Sequence, residues 1–190
     1  MLRNRYFILD VPRDVLPTMG VILGVAGGSG EHVVHCARNL PSLVFQPSDP
    51  DPDARLSVAA WVKATGVTNV RAPIALDALH SVWPIASADG IICINMIHIS
   101  PWEATLGLVK GAGRNTPFEI AALSLWPLQT ERVRNGVEQS SIRPEPTRSQ
   151  PELGSARPRS GCRDGAIRWI LGSVITELPA NNLSVIFRRM

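Results

Sequence analysis

Val21-Ile22-Leu23-Gly24-Val25-Ala26-Gly27-Gly28-Ser29-Gly30-Glu31 is the stretch whose reading decides the fold. An apolar run ends in a glycine cluster, and a helical stretch, Glu31 to Leu40, follows at once. Strand, tight glycine turn and helix is the unit that holds a nucleotide-like cofactor. Glycine suits the turn because the backbone visits φ > 0 and a ligand lies against it. The helix after the turn offers unpaired N–H groups and a positive dipole end. The dinucleotide fingerprint needs a third glycine three residues after the second. Counted from Gly28 and Gly30, that position is Val33, which disfavours a nicotinamide cofactor. The remaining Gly27-Gly28-x-Gly30 is the looser pattern of S-adenosylmethionine sites. An ordinary strand-to-helix turn is the alternative.

Moving outward, Leu43-Val44-Phe45 stands where the next strand of a βαβ unit belongs, and Gln46-Pro47-Ser48-Asp49 follows it. Asp49 lies about 20 residues beyond the glycines, where an acid accepts hydrogen bonds from ribose hydroxyls. Its alternative is a turn residue in the Asp49-Pro50-Asp51-Pro52-Asp53 run, since Asp and Pro both favour turns. Ala54 to Thr65 reads as a helix with Gly66 as its C-cap. Asn69 to Asp77 reads as a short strand ending in a second acid. Asp77 there faces the ligand crevice, or else caps a helical turn at residues 78–80.

Ala88 to Ser100 reads as one long central strand, because continuous β-branched residues suit a strand buried on both faces. It carries Asn95 and His98 toward the crevice. Ser100-Pro101-Trp102-Glu103 opens a helix to about Arg114, with Ser100 as N-cap and Pro101 in first position. Upstream, apolar residues at 7, 8, 11, 15 and 16 suit a helix that starts at Pro12. His32 and His35 read as surface or packing histidines. Four successive βα units predict an α/β chain: a Rossmann-like, doubly wound parallel sheet with helices on both faces.

The 190 residues predict a single domain. No apolar stretch approaches the roughly 18 residues of a membrane span. No signal peptide is read at the N-terminus. Cys36, Cys93 and Cys162 make no metal spacing and no disulfide framework, so the expectation is a reduced cytoplasm and no metal. The net charge of +3 is local. Residues 132–168 hold eight arginines and four acids of the 19 basic and 16 acidic residues, which leaves 11 and 12 elsewhere. No aromatic residues interleave with those arginines, so neither nucleic acid nor membrane is expected as a partner. Residues 132–165 have almost no apolar periodicity and read as irregular or disordered. Pro179 to Arg189 reads as strand-like and, in this topology, as a terminal antiparallel strand.

With these residues in view, the chain resembles the methyltransferase-like 26 family, also known as domain of unknown function 938. The resemblance rests on Arg3-Asn4-Arg5, the glycine turn, Gln46 to Asp51, Cys93 to Ala104, and Pro179 to Phe187. It covers residues 3 to about 114 and about 171 to 189. It implies a class I S-adenosylmethionine-dependent methyltransferase acting on an unidentified acceptor; with no nucleic-acid or membrane surface in the sequence, a small molecule or a protein side chain is left by elimination. Ala26, Gly27, Gly28 and Gly30 would hold the cofactor by backbone contact, Asp49 its ribose, and Asp77 would lie near the adenine. Asn95, Met96 and His98 would line the crevice beside the methyl group. His98 is the first candidate base, should the acceptor need to lose a proton, and its alternative is a structural hydrogen bond. Asn181 and Asn182 would contact substrate, or else form the turn before the last strand. A non-catalytic or defective cofactor-binding protein of the same fold is the second reading.

Two departures stand out. The family's first strand carries Glu where this chain has Gly24, and Ser where it has Gly27. From residue 115 to about 165 the family's strand LYLYGPYKRNG and the segments SNQAFD and NPxWG are missing. Degenerate codons for residues 125–132, read one base later, can spell YGPYKRNG, and those for 139–143 and 150–154 can spell NQAFD and NPSWG. The expectation is a segment translated out of frame, with the central strand beside it left partly unpaired.

Overall fold

The structure, a computed structural model, describes residues 9, 12–116, 119–124, 174–178 and 182–188. In chain order its elements are β1 (Gly20–Val25), α1 (Glu31–Asn39), β2 (Leu43–Pro47), α2 (Pro52–Thr65), β3 (Gly90–Ile94), α3 (Met96–Ile99), α4 (Trp102–Asn115), β4 (Glu119–Ser124), β5 (Val174–Leu178) and β6 (Asn182–Arg188). A single helical turn at 12–15 precedes them. The six strands form one sheet in the order β2-β1-β3-β4-β6-β5. The first four are parallel, and β6 runs antiparallel between β4 and β5.

Side chains alternate across a strand, so neighbouring residues serve opposite faces. On one face Leu23, Val25, Ile91 and Cys93 pack with Trp83, Leu108 and Ala112. On the other, Ile22, Phe45 and Ile92 pack with Cys36 and Ala37 of α1 and with Leu9 and Leu16. Helices thus cover both faces, as the βα repetition predicts. Helix α2 starts where Asp51 accepts a hydrogen bond from the Asp53 N–H (2.9 Å), with Pro52 in first position. It stops at Gly66, whose φ of 66° is the left-handed C-cap expected.

Four expectations are corrected. Residues 69–77 make no strand, only two isolated parallel bridges, Phe45 to Val70 and Ser48 to Ile74. Pro73 between them has no N–H to give a ladder, and the Ala72 carbonyl is taken by Gln46 Nε2 (2.7 Å). The long central strand ends at Ile94, because Asn95 turns left-handed (φ 67°) and α3 follows. Ser100 does not cap α4; its hydroxyl donates back to the Met96 carbonyl (2.6 Å), and Pro101 is the residue before the helix. Finally, β3 does not lack a partner: it pairs with β4 from Gly90↔Glu119 to Ile94↔Leu123, and β6 pairs β4 on its far side. The irregular and out-of-frame readings of 125–165, like Asn181, lie outside the described residues.

Candidate functional site at the sheet switch point

The chain leaves β1 for β2 on one side and later returns to β3 on the other, so the order reverses between β1 and β3. Open α/β sheets bind ligands outside the carboxyl ends of the strands at that point. A cleft of about 210 Å³ lies there. Its walls come from Gly24 and Val25 of β1, Ala26 to Ser29 after it, His32, Val33 and Cys36 of α1, Phe45 of β2, Ile92 and Ile94 of β3, Asn95 just after β3, and Ile99. This is below the roughly 300–1,000 Å³ of sites that enclose a drug-sized ligand. A drug-sized ligand would fit into it only in part.

The glycine turn is built by its neighbours. Gly27 N–H donates to the Ser48 carbonyl (2.9 Å), and Ser48 returns both its N–H (2.7 Å) and its hydroxyl (2.8 Å) to the Gly24 carbonyl. Asp49 closes the arrangement: Oδ2 accepts from Gly28 N–H (3.0 Å) and Oδ1 from Asp51 N–H (3.0 Å). Arg55 Nη1 donates to the Asp49 carbonyl (2.7 Å), which fixes the loop from behind. A carboxylate has about four acceptor sites, so Asp49 keeps capacity for two further donors beside the turn.

The glycines divide by task. Gly28 has φ 54° and open space where a side chain would project. Gly27 and Gly24 face protein instead: a Cβ would stand 3.5 Å from the Ser48 carbonyl oxygen at Gly27 and 3.8 Å from Pro47 Cα at Gly24, both ordinary contact distances. Gly30 differs. At φ 88°, its Cβ would stand 2.7 Å from Val58 Cα, so its glycine serves the packing of α2, and it does not line the cleft. Ala26 shares the left-handed conformation (φ 54°) and does line it.

Of the other predicted residues, Asn95 lines the cleft at the end of β3. Met96 does not; it is buried with Leu23, Val25 and Ile91 in the core. Asp77 is absent from the lining, and its Oδ1 accepts from Leu79 N–H (2.9 Å), the turn-capping alternative. His98 falls within α3, and its side chain lies outside the described residues. Asn182 opens β6 opposite Leu178. Sequence reasoning missed His32, Val33, Cys36, Phe45 and Ile99 as wall residues. The signal for the first three was the spacing 32, 33, 36, one helix face directly after the turn.

Burial pushes the Cys36 and Cys93 thiols up to about 12 from 9.0, so both are neutral apolar wall and core groups, not nucleophiles. Among the described residues no group of three His, Cys, Asp or Glu side chains is placed to hold a metal, and no helix is long and apolar enough to cross a membrane.

The profile of one family, "protein of unknown function (DUF938)", matches residues 1–126. The chain belongs to this family. The match runs past residue 115, where the sequence reading places the break, and ends at residue 126. Among solved structures, the S-adenosylmethionine-dependent methyltransferase SibL in its apo form is similar at TM-score 0.66 and 19% identity, over 99% of this chain and 55% of that one. A SAM-dependent methyltransferase from Aquifex aeolicus is similar at TM-score 0.59 and 14% identity, over 98% and 93%. A protein from Bacillus halodurans C-125 is similar at TM-score 0.55 and 17% identity, over 72% and 58%. The chain thus spans little more than half the length of the first and last of these structures. The family fold is the Rossmann-like fold of class I methyltransferases.

Proposed function

We propose that this chain binds S-adenosylmethionine at the switch-point cleft and transfers its methyl group to an acceptor. The observation that carries the reading is the joint placement of three groups. The turn of Gly27 and Gly28 and Asn95, just after β3, line one cleft, and the buried Asp49 carboxylate, which does not line it, is bonded to the Gly28 N–H of that turn. The residues fit the cofactor. The open Cβ direction at Gly28 lets a ligand lie on backbone, and Asp49 has acceptor capacity for a ribose diol. When bound, the cofactor supplies an electrophilic methyl group on a sulfonium. The chain's own task is to align it, which needs little acid–base machinery. Asn95 is the polar group at the cleft from β3, and His98 remains the proposed base for acceptors that must lose a proton.

One observation favours the second reading, a non-catalytic binding module of the same fold. Gly24 presents no side chain to the cleft where the family carries an acid. A hydrogen bond to a charged group is worth roughly 1.5–3 kcal/mol. At Gly24 a Cβ makes only ordinary contacts, and Gly24→Glu is expected to tighten cofactor binding about tenfold or more. Calorimetric titration of S-adenosylhomocysteine and NADH against the full chain tests the proposal. Binding of the first only, lost in Asp49→Ala, supports it; binding of NADH only, or of neither, overturns it. Binding without turnover over a broad acceptor panel supports the second reading.

A further inference from the structure

The solvent face of α4 changes character along its length. Far from the cleft it carries Lys110 and Arg114, both exposed. Near the cleft the outward positions are Trp102 and Leu106, 48% and 40% exposed, with Glu103 beside them. Trp102 and Leu106 are one helical turn apart and so adjacent on the surface. Ile99 ends α3 three residues before Trp102, at most about 11 Å away along the chain. It is 83% exposed and is also a wall residue of the cleft. Three large apolar side chains are therefore left in water in a row that starts inside the cleft. The cleft walls themselves carry no Asp, Glu, Lys or Arg. Burying apolar area is favourable by about 25 cal/mol per Å², so the row favours an apolar occupant; the ionisable side chains nearest it are His32 on the wall and the solvent-exposed Glu103.

We infer that Ile99, Trp102 and Leu106 form the acceptor platform, and that the acceptor is an uncharged, mainly apolar small molecule. The inference rests on the methyltransferase reading for the word acceptor, while the binding surface stands by itself. A lipid bilayer could use the same side chains, but the row opens into a cleft that a bilayer surface does not fill.

Three probes with one ring system decide it: 2-naphthol, 2-naphthoate and 2-naphthylmethylammonium, titrated into the full chain with and without S-adenosylhomocysteine. The expected result is 2-naphthol binding at least tenfold tighter than either ion. Trp102→Ala combined with Leu106→Ser, and Ile99→Asp separately, are each expected to weaken it tenfold, and Ile99→Asp is expected to hold the thermal midpoint because Ile99 is 83% exposed. Trp102→Phe should retain binding. No binding of 2-naphthol, tighter binding of an ion, or equal binding by the variants overturns the inference. So does sedimentation with phosphatidylcholine vesicles that the same variants abolish. If 2-naphthol binds as expected while S-adenosylhomocysteine does not, the platform stands and the cofactor reading fails.

Discussion

Gly30→Ala and Gly28→Ala form the sharpest pair of perturbations, because two glycines two residues apart are bare for different reasons. Gly30 sits at φ 88°, ψ −4°, beyond the left-handed well, and its Cβ would stand 2.7 Å from Val58 Cα and 3.0 Å from Val58 Cγ2. The conformation costs an L-residue roughly 1–2 kcal/mol, and forcing a methyl group into packed atoms costs roughly 1–3 kcal/mol more. Gly30→Ala is therefore expected to destabilise by about 2–5 kcal/mol. Gly28 sits at φ 54° with no atom within 4 Å of its Cβ position. It carries the conformational cost alone, offset by about 0.4–1 kcal/mol of lost unfolded-state freedom, for a net cost of about 0–1.6 kcal/mol. Urea unfolding followed by tryptophan fluorescence reads both. With a slope of roughly 1–3 kcal/mol per molar urea, Gly30→Ala should lower the midpoint by about 1 M or more, and Gly28→Ala by a few tenths. Adding Val58→Ala to Gly30→Ala should recover only part of the loss, because the closest clash is with backbone. Equal midpoint shifts for the two single variants, or a larger one for Gly28→Ala, would refute the division between turn glycine and packing glycine.

Three further outcomes follow from the same structure. The Cys36 and Cys93 thiols titrate near 12 when folded and near 9.0 when unfolded, so above pH 9 the unfolded chain sheds protons that the folded chain keeps. Stability is thus fully present below pH 9 and falls as pH rises toward 12, by up to about 1.4 kcal/mol per pH unit per thiol; urea midpoints between pH 8 and 11 check the sign, and Cys36→Ala with Cys93→Ala should flatten the slope. Gly111→Ala improves helix propensity by about 1 kcal/mol yet drives a methyl group into the Trp83 indole, so a net destabilisation of about 1–2 kcal/mol is expected in thermal unfolding. Asn95→Gly keeps the left-handed hinge after β3 and Asn95→Ala does not; the alanine variant should lose about 1 kcal/mol of stability more than the glycine variant, while both lose the polar group at the cleft, and paired unfolding and S-adenosylhomocysteine titrations separate the two effects.

The elements that set their own geometry were legible in the sequence. The β1 run, the glycine turn, α1, and α2 with its Asp51 and Gly66 caps follow from local patterns, and so does the doubly wound plan. What was not legible depended on a partner elsewhere. Residues 69–77 look like a strand, but Pro73 and the Gln46 side chain divert their hydrogen bonds. Ile97 and Ile99 extend a β-branched run, yet a single left-handed residue, Asn95, bends it into α3. Gly30 reads as part of a ligand turn, while its glycine answers to Val58, 28 residues away in sequence. Met96 follows the strand directly and reads as crevice lining, but α3 rotates it into the core. At the site, Asp49 was legible by spacing, whereas Phe45, Cys36 and Ile99 join the cleft only through tertiary packing.

The central claim, that the switch-point cleft is where S-adenosylmethionine binds, is tested most directly by hydrogen–deuterium exchange of the full chain with and without saturating S-adenosylhomocysteine. The account predicts slowed exchange in peptides covering residues 24–30, 48–51 and 92–99, and no change over the outer face of α2. Slowed exchange confined to other parts of the chain, or none at saturation, would contradict it.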